Sequence, residues 1–273
     1  MDNLIGIMQG RLLPKYQKRY QAHPVGYWQK EFSIAKEIGL DCIEFIFDFN
    51  GMGHNPLICN GGIAEIQQVI SNTGIQVKTI CADYFMDQPL HSADKEVSNQ
   101  SLSILRKLLT ASEELGVTDI VIPCVDKSSL NKYQDEQRFI SAIHSAIEDI
   151  ETKDINLSLE MDLPPRPFKK LLDKFESKYI TVNYDIGNSA SLGFDPIAEL
   201  DCYGDYISDI HIKDRKRGGG PVILGEGAAS FDRFFKKLTE FSYSGPFIMQ
   251  AYRDDEGISI FKKQLEWISQ YFK

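Results

Sequence analysis

The sequence has no run of 18 apolar residues, and no basic segment followed by an apolar stretch at its N-terminus. Neither a membrane span nor a secretory signal is expected. Cysteine is sparse: Cys42, Cys59, Cys81, Cys124 and Cys202 are scattered, with no Cys-x-x-Cys pair, and several sit inside apolar runs. They read as reduced core thiols of a cytoplasmic protein. Positive charge is in deficit, with 30 Lys and Arg against 39 Asp and Glu and a formal net charge of −9. A surface built for nucleic acid normally carries a basic face, so that partner is excluded. No Gly-x-Gly-x-x-Gly follows the first apolar stretch, which removes support for a dinucleotide-binding fold.

The composition is otherwise that of a soluble globular protein with a sizeable core, 42% hydrophobic and 25% charged over 273 residues. That length suits two domains or one eight-fold α/β barrel, which runs to about 250 residues.

Apolar periodicity decides between them. Short runs rich in β-branched residues predict strands over 4–8, 41–47, 77–82, 119–125, 156–161, 179–184, 207–212 and 247–251. Between them, helical spacing predicts helices over 28–38, 63–70, 94–115 and 136–150. It continues through Phe168, Leu171, Leu172 and Phe175, then over 196–203, 231–241 and 258–272. Gly39, Gly74, Gly116 and Gly245-Pro246 punctuate the pattern. Eight strands in strict alternation with eight helices imply parallel strands and right-handed crossovers. No linker interrupts them. The expected fold is a single (β/α)8 TIM barrel spanning residues 1–273.

Such barrels build their sites at the C-terminal ends of the strands. Three apolar strands end in groups that bind metal: Glu160 in Asn-Leu-Ser-Leu-Glu-Met, Asp185 in Ile-Thr-Val-Asn-Tyr-Asp, and His211 in Ile-Ser-Asp-Ile-His-Ile. A lone buried histidine is most often a satisfied core imidazole. Two carboxylates and an imidazole on three separate strand ends suit a divalent cation. Gln250 ends the eighth strand and Arg11 follows the first. After His211 comes a basic run, Lys213, Arg215, Lys216 and Arg217, with Gly218 to Gly220 behind it. Its ordinary reading is a solvated loop. Its functional reading is an anion site aided by backbone N–H groups, to which Arg217 would contribute. Arg11 could clamp a phosphate or carboxylate. Glu44 reads as orienting Arg11 or another cation. His23, His54, His91 and His144 receive no role.

At these residues the sequence resembles the xylose isomerase-like barrels, which include sugar-phosphate isomerases and epimerases, ketose 3-epimerases, inosose dehydratases and apurinic-site endonucleases. The resemblance spans essentially the whole chain. Its most specific pieces are Leu-Glu160, Tyr-Asp185-Ile-Gly-Asn188, His211-Ile-Lys213-Asp214-Arg and Leu-Gly-Glu226-Gly. In the epimerase branch one divalent metal is held by Glu, Asp, His and a second Glu on strands five to eight. The resemblance implies Glu160, Asp185 and His211 as ligands, with Gln250 in the fourth place. It implies Mn2+ or Zn2+, with Mg2+ also allowed, and a homodimer as one assembly. A further family position that is usually His is here Asn188.

Both departures replace a titratable group with an amide, which has no usable pKa near neutrality but can offer oxygen or N–H. In the resembling epimerases the two Glu ligands move protons on opposite faces of the carbon. Here Glu160 is expected as the base, and Glu226, Asp214 or Asp83 as source of a second proton. A single-base transfer through a cis-enediolate survives the substitution better. Arg11, Asn188, Lys213, Asp214 and Arg217 are expected to bind substrate, and Glu160 and Glu226 to act in catalysis. Two function classes follow. One is a metal-dependent isomerase or epimerase acting on a small sugar or sugar phosphate in carbohydrate metabolism. The other is a non-catalytic sugar-binding barrel that has lost the chemistry. The apurinic-site branch needs a multi-metal cluster with several histidines, and this chain has five, with His211 alone at a strand end.

Overall fold

The β-branched runs form strands and the amphipathic segments form helices where the periodicity places them. In the computed structural model, which describes residues 3–255 and 257–272, eight parallel strands close into a barrel. They are β1 (Ile5–Met8), β2 (Cys42–Ile46), β3 (Gln76–Cys81), β4 (Asp119–Cys124), β5 (Asn156–Met161), β6 (Ile180–Asp185), β7 (Ile207–Ile212) and β10 (Phe247–Met249). The hydrogen-bonded order is β1-β10-β7-β6-β5-β4-β3-β2, closing back on β1. The remaining two, β8 (Asp214–Arg215) and β9 (Pro221–Val222), make an antiparallel hairpin beyond β7.

Eight helices cover the barrel: α1 (Gln29–Ile38), α2 (Gly62–Thr73), α4 (Lys95–Leu115), α5 (Tyr133–Thr152), α6 (Pro165–Leu172), α8 (Pro196–Tyr203), α9 (Phe231–Leu238) and α10 (Ile258–Ile268). The longest, α4, starts at Asp94, whose side chain accepts from the Glu96 N–H, and stops at left-handed Gly116. Two short helices were not expected, α3 (Tyr84–Asp87) after β3 and α7 (Ile186–Leu192) after β6. Both are too short to show a period. The expected helix over 231–241 ends at Leu238, and the last one finishes as a 3-10 turn over Ser269–Tyr271.

The core has two compartments. The larger lies between sheet and helices and includes Phe32, Phe45, Phe139, Ile210 and Phe234. The smaller, inside the barrel, comprises Met8, Cys42, Ile46, Cys81, Val121 and Ile248. Polar groups share the interior with it. Glu44, Thr79, Asp119, Ser158, Thr181, Asn183, Asp209 and His211 are all buried, and hydrogen bonds join many of them between strands. A lumen this polar is more than packing requires, and its upper layer is the candidate site.

Candidate active site

Strand register brings the site together. Asp185, the last residue of β6, pairs with His211 on β7 because the ladder shifts by one residue between Val182 and Asn183. Without that shift Asp185 would face Ile210. Glu160 is next to last on β5 and points to the same side as buried Ser158 two residues earlier. Ligand atoms of Glu160, Asp185 and His211 lie within 4.8 Å of one another. All three residues are buried.

Each carboxylate is oriented. Asp185 caps α7, its Oδ1 accepting from the Asn188 N–H at 2.8 Å. Its Oδ2 lies 3.3 Å from Lys213 Nζ. The Asn188 side-chain amide donates to Glu160 Oε1, while its carbonyl accepts from Arg215 Nη1 at 2.8 Å. Burial, reinforced by Asp185 nearby, holds the Glu160 carboxyl above the ordinary carboxylate range. Gly187 lets this happen: a Cβ there would meet Lys213 Cγ at 2.8 Å.

His211 belongs to a second, deeper group. Its Nε2 lies 2.8 Å from Glu44 Oε1 and 3.5 Å from Asp209 Oδ2. In the sheet β2 and β7 are separated by β1 and β10, so the Glu44 contact crosses the lumen. Burial lowers the imidazole's pKa, but the Glu44 and Asp209 carboxylates outweigh it and raise it well above the usual value. Of the two partners the sequence allowed Glu44, Arg11 or another cation, the structure gives the second: Glu44 faces the His211 imidazole, and Thr79 donates to its other oxygen. Glu44, Asp209 and His211 also satisfy metal-ligand spacing.

A chain of amides lines the mouth. Arg11 Nη2 donates to Gln21 Oε1 at 3.1 Å, and Gln250 Nε2 donates to the same oxygen at 2.8 Å. Gln21 Nε2 in turn donates to Asp83 Oδ2 at 2.9 Å. Gln250 Oε1 accepts from Lys213 Nζ at 3.0 Å. The ammonium takes one of the two lone pairs of that oxygen and leaves the other for a ligand. Arg11 is buried, its Nε has no partner among the described residues, and burial with neighbouring Arg253 lowers its pKa to about 10. It still carries full charge at neutral pH.

Three expected site residues are not brought to this cluster. Asp214 is buried, and its carboxylate accepts from the backbone N–H groups of Gly225, Gly227 and Ala229 at 2.9–3.1 Å. It ties the loop together and is fully buried, away from the mouth where substrate would lie. Gly227 is required there, since a Cβ would sit 2.0 Å from Asp214 Oδ1. Glu226 is exposed and lines a groove with Ile223, Lys263 and Trp267 against α10. Arg217 is exposed and lies over Gly193 at the end of α7. Two of the three glycine N–H groups are already used: Gly218 donates to Ser191 O and Gly219 to Lys216 O. The basic run is a hairpin whose inward cation is Arg215.

Sequence reasoning missed Gln21 and Asp209, and read Arg215 only as one member of a basic, anion-binding run. Gln21 lies in a polar loop with no periodicity to mark it. Arg215 carried a signal, because a two-residue step from Lys213 along an extended segment returns to the same face.

The profile of the family described as xylose isomerase-like TIM barrel matches residues 32–271. The chain belongs to that family. Among curated relatives of this xylose isomerase-like barrel is L-ribulose-5-phosphate 3-epimerase UlaE of Salmonella heidelberg (strain SL476). It is 27% identical over 244 residues, 86% of each chain. Among solved structures, the 3-keto-D-glucoside 4-epimerase YcjR from E. coli superposes with a TM-score of 0.72 at 18% identity. The alignment covers 89% of this chain and 94% of that one. The IOLI protein, described with a binding zinc atom, gives 0.77 at 15% identity over 99% of both chains.

Proposed function

We propose that this chain is an isomerase or epimerase acting on a small sugar or sugar phosphate, by proton transfer at a carbon next to a carbonyl, with a divalent metal as cofactor. The observation that carries the reading is Glu160. It is a buried carboxylate oriented by Asn188, beside Asp185 and His211 at the mouth of a xylose isomerase-like barrel. Curated relatives named as L-ribulose-5-phosphate 3-epimerases support the substrate class.

The residues present fit a metal. Two carboxylates and an imidazole converge, and His211 Nδ1 is buried without a hydrogen-bond partner among the described residues. Glu160, Asp185 and His211 would hold the ion, and the imidazole favours Mn2+ or Zn2+ over Mg2+. When bound, a divalent ion supplies Lewis-acid polarisation of the substrate carbonyl oxygen.

The chain's own groups do the rest. Glu160 takes the proton from the carbon beside the carbonyl, giving an enediolate. In an isomerisation it returns that proton on the same face to the former carbonyl carbon while a proton passes between the two enediolate oxygens, whereas epimerisation needs a second group to protonate the original carbon from the opposite face. Asn188 keeps the Glu160 carboxylate in place, and Arg215 keeps Asn188 from turning. Gln250 cannot be a second base. It offers N–H and carbonyl groups to substrate hydroxyls. If two faces of the carbon are served, Asp83 across the mouth is the other carboxyl available. Arg11 and Lys213 supply positive charge for a phosphate or the enediolate oxygen.

The test is turnover. Protein loaded with Mn2+ or Zn2+ is incubated with L-ribulose 5-phosphate, other pentulose phosphates and the free ketoses, and products are followed by 1H NMR. The expected result is an epimer or aldose with at least one ketose, absent with Glu160→Gln. No product with any of them, while ligand binding persists, would make the chain a sugar-binding barrel instead.

A further inference from the structure

Two one-residue register shifts flank the deeper layer of the site. One, between Ile43 and Glu44, sets Glu44 opposite Thr79; the other sets Asp185 opposite His211. The result is a line of groups across the lumen: Thr79, Glu44, His211, then Asp185 with Glu160. Thr79 Oγ1 donates to Glu44 Oε2 at 2.7 Å, which leaves Oε1 directed at His211 Nε2. Glu44 and His211 are both fully buried. Their 2.8 Å contact lies off the ring N–H axis, and neither atom has another hydrogen-bond partner among the described residues. Asp209 is the weaker claimant, since it is farther away and its Oδ2 already accepts from Asn183 Nδ2 at 2.9 Å.

A neutral imidazole carries one N–H, and the nitrogen without it is the one that can bind a metal. Which nitrogen that is depends on what the other one faces. Here a carboxylate oxygen lies 2.8 Å from Nε2, while Nδ1 has no hydrogen-bond partner among the described residues. We propose that Glu44 is a positioning residue for the metal centre: it holds the Nε2–H of His211 from across the barrel and so presents the Nδ1 lone pair to the Glu160–Asp185 side. The inference rests on the reading of Glu160, Asp185 and His211 as metal ligands. It gives Glu44 a function beyond satisfying the core. It also explains why an acid occupies the lumen side of β2 among Met8, Cys42 and Ile46.

The test separates this inference from the metal reading itself. Apo protein prepared by chelation is titrated with Zn2+ and Mn2+ by calorimetry. The His211 tautomer is read from 15N-histidine NMR of the Zn2+ form. In the unmodified protein the inference expects Nε2 protonated and Nδ1 bound. Glu44→Gln is expected to weaken Zn2+ binding about 10–100-fold, the usual effect of losing such a support. Thr79→Val, which loosens the same carboxylate without removing it, should weaken it less. Asp119→Asn, a change to a buried carboxylate near the other end of the lumen, should leave metal affinity alone. If the unmodified protein binds no divalent ion, the metal reading fails. If it binds but Glu44→Gln keeps the same affinity and tautomer, the metal reading stands and this inference is overturned. Should Glu44→Gln not fold, an unchanged affinity in Thr79→Val overturns it equally.

Discussion

Asn188 ties Glu160 to Arg215: its NH2 donates to the Glu160 carboxylate and its carbonyl accepts from the Arg215 guanidinium at 2.8 Å. An amide held at both ends cannot flip without losing both bonds. The proposed base is thus oriented by a residue on the hairpin after β7, 55 positions away in sequence.

Replacing Arg215 by Ala is expected to lower kcat/KM by about one to two decades, the worth of a charged hydrogen bond of roughly 1.5–3 kcal/mol. Arg217→Ala should stay within about threefold, because an exposed side chain away from the site costs at most about 0.5 kcal/mol. Steady-state kinetics on the two variants side by side checks this. A larger loss in Arg217→Ala would restore the anion-site reading of the basic run.

Asp214 supports the same hairpin from beneath. Its carboxylate serves three backbone N–H groups, so Asp214→Ala leaves three donors without an acceptor. A loss on the order of 3 kcal/mol or more is expected in urea unfolding, with a lower midpoint. Stability equal to the unmodified protein would mean the loop finds other partners.

How much of this was legible in sequence depends on what sets each feature. The alternation and the strand ends are periodic, so the barrel and the presence of Glu160, Asp185 and His211 at its C-terminal mouth could be read directly, whereas the pairing of Asp185 with His211 depends on a register shift. Asp214 and Glu226 lie in motifs of the resembling family, which marked them as important without saying for what. Asp214 is a loop anchor, and its role depends on three N–H groups brought in by a turn. Glu44 shows the same gap. Its strand was predicted, but its partner is set by a register shift and a contact across the lumen, which no local pattern encodes.

Gln250→Glu would add a carboxylate beside the three ligands and beside Lys213. Metal affinity should rise at least about tenfold, since ligand charge is a main determinant of affinity for hard cations. Calorimetric titration of both proteins measures it. An unchanged affinity would place Gln250 outside the coordination sphere and leave it as a contact for Lys213, Gln21 and substrate.

Glu31 gives a pH signature remote from the metal ligands. It is buried and accepts from the Gly10 and Leu12 N–H groups, and burial pushes it up to about 7 from an ordinary 4.5. The folded protein keeps this proton over a window in which the unfolded chain releases it. The contribution is therefore full below pH 4.5, declines as pH rises, and is gone above about pH 7. Glu31→Gln cannot ionise, so the difference in urea midpoint between pH 5 and pH 8 should narrow. An unchanged difference would assign the slope to other buried carboxyls.

Solvent hydrogen exchange tests the central claim most directly. The metal-loaded protein is held in D2O with a ketose phosphate, and deuterium at the carbon next to the carbonyl is read by NMR. The account predicts that deuterium enters with the unmodified protein and is lost in Glu160→Gln, by about two to four decades for removal of a general base. Exchange that persists in Glu160→Gln would contradict Glu160 as the base. No exchange with any ketose in the unmodified, metal-saturated protein would contradict catalysis altogether.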